Sequence, residues 1–157
     1  MAILLRLHEY WLSKHIDGKL PRRTDIDPLD FTYALGEVSL IDVTSRNPWQ
    51  FTCRLMGSNI QSRLSIPMKG KNINEFPEEH LRKEFMQAYQ IVAETAQPIT
   101  YTKDNWDNKK SKPMTMCYWP FSNGGKEVDM ILCCREFFVD RSSRWWAVSD
   151  TLNQFRE

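Results

Sequence analysis

Hydrophobic and polar positions change period several times along the chain, and each change marks an element. In residues 2–15, Ile3, Leu4, Leu7 and Trp11 follow the i, i+3, i+4, i+7 rhythm of an amphipathic helix, widened by Leu5, Tyr10 and Leu12. Such a face needs an apolar surface to pack on. DGKLPRRTDID has loop chemistry, and Asp27 before Pro28 predicts an N-cap with proline at the first helical position, opening a short helix that ends near Gly36. From Glu37 to Val43 the residues Val38, Leu40, Ile41 and Val43 read as a strand, and SRNP turns the chain into WQFTCRLM. There Trp49, Phe51, Cys53 and Leu55 alternate with Gln50, Thr52, Arg54 and Met56, so the first set is predicted to face a core. Gly57 breaks this strand, and Ser58 is placed to cap a short helix through Leu64. Pro77, Glu78 and Glu79 open the longest helical pattern, with Leu81, Phe85, Ala88 and Val92 on one face and His80 solvated in the first turn. The remaining runs, ITYTKDNW, KPMTMCYWPF and KEVDMILCCREFF, are joined by polar DNKKS and SNGG, the pattern of a three-stranded antiparallel meander.

The predicted class is therefore α+β: a five-stranded antiparallel sheet, helices inserted between the second and third strands to cover one face, and an additional N-terminal amphipathic helix. That layout encloses a pocket easily. At 157 residues, 41% hydrophobic and 26% charged, the chain is sized for one domain with one core. Lys plus Arg at 21 against Asp plus Glu at 20 leaves a net charge of +1, too little field to recruit nucleic acid or an anionic membrane. Small or apolar partners fit better. The opening MAILLRLHEYWLSKH is interrupted by Arg6, His8 and Glu9 and lacks a cleavage site, and no run approaches the roughly 20 apolar residues of a membrane span, so a cytoplasmic location with reduced thiols is expected.

Candidate chemistry is sparse. The four cysteines Cys53, Cys117, Cys133 and Cys134 form no C-x-x-C and have no histidine at ligand spacing, so no metal site is expected. Neighbours on a strand point to opposite faces, which makes Cys133 and Cys134 packing residues rather than a redox pair. No phosphate loop, dinucleotide fingerprint or nucleophile elbow occurs, and Asp25, Asp27 and Asp30 lack the glycine and terminal glutamate of a calcium loop. His8, His15 and His80 read as surface residues, although His8 and His15 share a helical face.

In order along the chain, HEYWLSK, TDIDP (24–28), VSLIDV (38–43), FTCRLMGSNI (51–60), GKNINEF (70–76) and WPFSNGGKEVDMILC carry a resemblance over residues 8 to 138. The sequence resembles the PAS_5 type of bacterial PAS domain. Ser58 stands where that family has threonine, Cys133 and Cys134 where it has small residues, and residues 139–157 lie beyond the likeness. The resemblance implies a sensory or interaction module that binds a small molecule between helices and sheet, or dimerises, with no catalytic residues. It also implies a division into an N-terminal helical extension (1–36), a core (37–138) and a tail (139–157). Flavin light sensors of the group carry an N-C-R-F motif, whereas the comparable helix reads SNIQSRLS. Haem-binding members use a histidine in the middle of the long helix, and His80 is at its start, so no cofactor is expected.

Three function classes follow. The first is a stand-alone sensory or regulatory domain with an apolar pocket lined by Phe85, Tyr89, Trp106, Met116 and Trp119, with Arg54 as the charged group. The second is a homodimerisation or docking module using Leu4, Leu7 and Trp11 of the N-terminal helix and Trp145 and Trp146 of the tail. Either passes its signal to an unidentified partner protein, without nucleic acid or membrane. The third is a thiol enzyme with Cys117 or Cys133 as nucleophile, for which the sequence fixes no base; no catalysis is expected.

Overall fold

In the computed structural model, which describes residues 3–103 and 113–137, the first helical pattern forms α1 (Ile3–Ser13), with Leu4, Leu7, His8 and Trp11 as its buried stripe. The Leu4 N–H in its first turn donates to the Glu136 carboxylate at 3.1 Å, so an acidic side chain satisfies a free helix donor and faces the positive end of the dipole. Asp27 caps as predicted, its Oδ1 accepting the Leu29 N–H at 2.9 Å. The segment it opens, Pro28–Glu37, is 3-10 helical with a kink at Phe31 and runs directly into the sheet. The other elements are β1 (Val38–Arg46), β2 (Trp49–Met56), α2 (Ser58–Gln61), a 3-10 turn at Ile73–Glu75, α3 (Glu79–Thr95), β3 (Ile99–Lys103), β4 (Met114–Phe121) and β5 (Met130–Phe137).

The strands form one antiparallel sheet in the order β2-β1-β5-β4-β3. The predicted meander is thus present, and the β1–β2 hairpin joins it through β1 and β5. Both faces of the sheet are covered. On one, Val38, Cys117, Trp119, Phe121, Met130, Leu132 and Cys134 meet Leu4, Leu7 and Trp11 of α1 and Phe31 and Ala34. On the other, Ile41, Phe51, Cys53, Tyr118, Ile131 and Cys133 meet Ile73, Phe76 and the Leu81, Tyr89 and Val92 stripe of α3. Double coverage explains why β4 and β5 read as continuous apolar runs rather than alternating ones. The two adjacent cysteines part as the period of two requires, Cys133 beneath α3 and Cys134 beneath α1.

Several expectations need correction. Leu4, Leu7 and Trp11 are not an exposed interface: they are buried against this chain's own sheet, where each of the leucines contributes about 2 kcal/mol. Trp145 and Trp146 lie outside the described residues. Leu55 does not continue the inward set of β2, because the register slips between Leu40/Leu55 and Ile41/Cys53, leaving Arg54 as the extra residue of a β-bulge. The bulge reverses parity, so Leu55 is exposed and Met56 turns inward. The short helix starts after Gly57 rather than at a Ser58 cap. A Cβ at Gly57 would stand 2.4 Å from the Gly36 carbonyl oxygen, so only glycine admits this close crossing of the two segments. His8 is buried at 1% exposure, not on the surface. It occupies the same stripe as Leu4 and Trp11, and the Trp119 indole N–H donates to its Nδ1 at 3.0 Å. Among the described residues no helix is long and apolar enough to cross a membrane.

Candidate ligand cavity

Beneath α3 the core is not filled. A cavity of about 390 Å³ lies between α2, α3, β3 and the sheet, within the range of small-molecule sites. Even-numbered β4 residues Met116 and Tyr118 and odd-numbered β5 residues Cys133 and Arg135 point into it, as the period of two dictates. Phe85 and Tyr89 enter from α3 and Phe76 from the loop before it, with ring centroids 5.2 Å (Phe76–Phe85) and 6.2 Å (Phe85–Tyr89) apart. The Tyr118 hydroxyl donates to the Met116 sulfur at 3.4 Å. Burial holds the hydroxyls of Tyr89 and Tyr118 well above the ordinary phenol range, so both are neutral donors.

The charged lining residues are Arg63, Lys103, Arg135 and Glu84. Lys103 Nζ meets Glu84 Oε1 at 2.9 Å. Arg135, 3% exposed, donates from Nε to Glu37 Oε2 at 2.6 Å and from Nη2 to the Asn59 carbonyl at 3.2 Å. Asn59 closes the triangle by donating from Nδ2 to Glu37 Oε1 at 2.9 Å. The end of the Pro28–Glu37 segment, α2 and β5 are therefore tied at one corner of the cavity.

A five-stranded antiparallel sheet in this order, with helices inserted between its second and third strands and a cavity beneath them, is accompanied by a match of the PAS_5 family model, a PAS domain, to residues 2–134. The chain belongs to the PAS_5 family. Among solved structures this PAS domain is similar to that of Bordetella pertussis BvgS, at 14% identity and a TM-score of 0.55, covering 82% of this chain and 99% of that one. It is also similar to a tryptophan-to-alanine variant of Drosophila melanogaster Cycle PAS-B with bound glycerol, at 14% identity and a TM-score of 0.43 over 65% of this chain and 99% of that one. No curated protein matches the sequence. The likeness to BvgS extends to the fold.

Of the side chains picked from the sequence, the PAS domain gathers Phe85, Tyr89 and Met116 around the cavity. Arg54 is elsewhere, on the bulge, with Nε 2.9 Å from both Asp42 carboxylate oxygens. Trp119 lies on the opposite face, beneath α1. Trp106 falls outside the described residues. Arg63, Arg135, Tyr118 and Cys133 were missed, although one signal for Arg135 was present: an arginine next to Ile-Leu-Cys-Cys on a strand covered on both sides must be paired. Burial pushes the Cys53 thiol up to about 11 and raises those of Cys133 and Cys134 as well, so these thiols are poor nucleophiles.

Desolvation lowers the Arg135 pKa and the Glu37 carboxylate opposes that shift. Glu37→Gln removes the countercharge from a buried guanidinium, and a loss of about 2 kcal/mol is expected in urea unfolding. An unchanged midpoint would mean that the pair contributes nothing to the fold.

Proposed function

We propose that this PAS domain is a cytoplasmic sensory or regulatory module whose cavity takes a small, largely apolar molecule and whose state is passed to a partner protein. PAS domains commonly bind small ligands or partner proteins. The observation that carries the reading is the unfilled 390 Å³ beneath α3 in a domain whose other face carries a contiguous buried cluster with α1. Interiors are close-packed by default, and a void lined by aromatic, methionine and aliphatic side chains costs stability that a ligand restores. Docking through the apolar stripe of α1 is no part of this reading, since that stripe is occupied by the sheet.

Native mass spectrometry of gently purified protein tests it. The expected spectrum shows an excess mass that is lost on denaturation. Ala88 lines the cavity from α3, and Ala88→Leu is expected to fill part of the void, abolish the excess mass and leave the protein equally stable or more stable by roughly 1 kcal/mol. A wild-type protein of bare mass whose melting temperature rises with no apolar additive would sink the reading.

A further inference from the structure

The ion pairs of the cavity leave one charge over. Glu84 matches Lys103 and Glu37 matches Arg135, at 2.9 and 2.6 Å. Arg63, the remaining charged lining residue, has no carboxylate within ion-pair distance among the described residues; its guanidinium carbon stands 5.1 Å from the Phe137 ring centroid. The Arg135 guanidinium carbon lies 5.1 Å from the same centroid. Two guanidiniums thus stand against one ring near the end of β5, the Glu37 carboxylate pairing with Arg135 alone, whereas Tyr89, beside Phe85, reaches Cys133 two positions back along that strand, so that charged and aromatic lining are set apart. A cavity polarised in this way favours a ligand that is itself polarised.

We propose that the cavity takes a monocarboxylate amphiphile, its carboxylate against Arg63 and its apolar part against Phe76, Phe85 and Tyr89. The inference rests on the cavity being a ligand site and adds the chemical class. One surplus cation matches one negative charge; a dianion would carry an unmatched charge into an apolar space, at high desolvation cost. The guanidinium fork suits a planar carboxylate, which accepts two parallel N–H bonds. The 390 Å³ available equals about a dozen water-sized groups at about 30 Å³ each, which is the heavy-atom count of decanoate.

Decanoate below its micellar concentration and decanol are the probes, titrated calorimetrically into the full chain. Wild type is expected to bind decanoate at least about tenfold tighter than decanol. Arg63 is exposed, and among the described residues its only hydrogen bond is from its backbone N–H to the Ile60 carbonyl, so Arg63→Gln should fold normally, weaken decanoate about tenfold and leave decanol unchanged. Arg63→Lys should keep part of the preference, because the charge remains and the fork is lost. Equal affinities in wild type, or a decanoate affinity indifferent to Arg63→Gln, overturn the carboxylate assignment and leave the cavity reading standing. If neither probe binds, the cavity reading fails and this inference with it.

Discussion

Trp119→Ala is expected to lower the unfolding free energy by about 4 kcal/mol, the largest effect of any single substitution considered. The indole is fully buried between β4 and α1, and its N–H donates to His8 Nδ1 at 3.0 Å. Truncation of a buried aromatic to alanine costs about 3–5 kcal/mol through lost transfer energy and the cavity left behind. The lost bond also removes the donor that satisfies a buried acceptor, at about 1–3 kcal/mol, with part of that recovered if water enters the new void. For a domain whose total stability is about 5–15 kcal/mol, most of the margin disappears, and the melting temperature should fall by about 10–15 °C. Trp119→Phe separates the two contributions, since it keeps most of the volume and removes the donor; about 1–2 kcal/mol is expected. A Trp119→Ala protein within 1 kcal/mol of wild type in urea would show that α1 is not an integral layer of the domain.

Trp119 also shows where sequence reading succeeds and where it stops. The strands were legible because composition and turn residues bound them, and β2 was delimited to the residue. Coverage of both faces was not, because the apolar runs of β4 and β5 fit a strand buried on either side. Met116 and Trp119, candidates for one pocket, differ by an odd number of positions and must face opposite ways on a regular strand. Parity alone would have separated them, as it did separate Cys133 from Cys134. Arg54 is the converse case. Its outward direction followed from the alternation, but the bulge that turns Met56 rather than Leu55 inward depends on pairing with β1, a partner no local pattern reveals. Arg63 and Arg135 come together only in three dimensions, from α2's C-terminal side and from β5.

His8 is buried rather than at the surface, and its burial sets the second large effect. Its pKa is lowered from 6.5 to about 4, first by desolvation and then by repulsion from His15. The Trp119 N–H bonded to Nδ1 also requires that nitrogen to be unprotonated, placing the neutral imidazole's hydrogen on Nε2. β4 presents Thr115, Cys117, Trp119 and Phe121 on the face towards α1, so no carboxylate from that strand offsets the cost of charging the ring, and the Glu136 carboxylate of β5 is engaged by the Leu4 N–H at 3.1 Å. Between pH 6.5 and about 4 the unfolded chain takes up a proton that the folded domain excludes. Stability from this group is therefore complete above pH 6.5 and falls with decreasing pH, at no more than 1.36 kcal/mol per unit. From pH 7 to pH 4.5 the expected loss is about 2–3 kcal/mol. His8→Asn sets the control, because its amide can accept the Trp119 N–H without titrating. Wild type and variant should diverge in this direction in urea unfolding followed by tryptophan fluorescence, the wild type losing about 2–3 kcal/mol more than the variant on acidification. Parallel losses in the two proteins would place the acid sensitivity in the carboxylates instead, and would mean that His8 is protonated in the folded domain or reaches solvent.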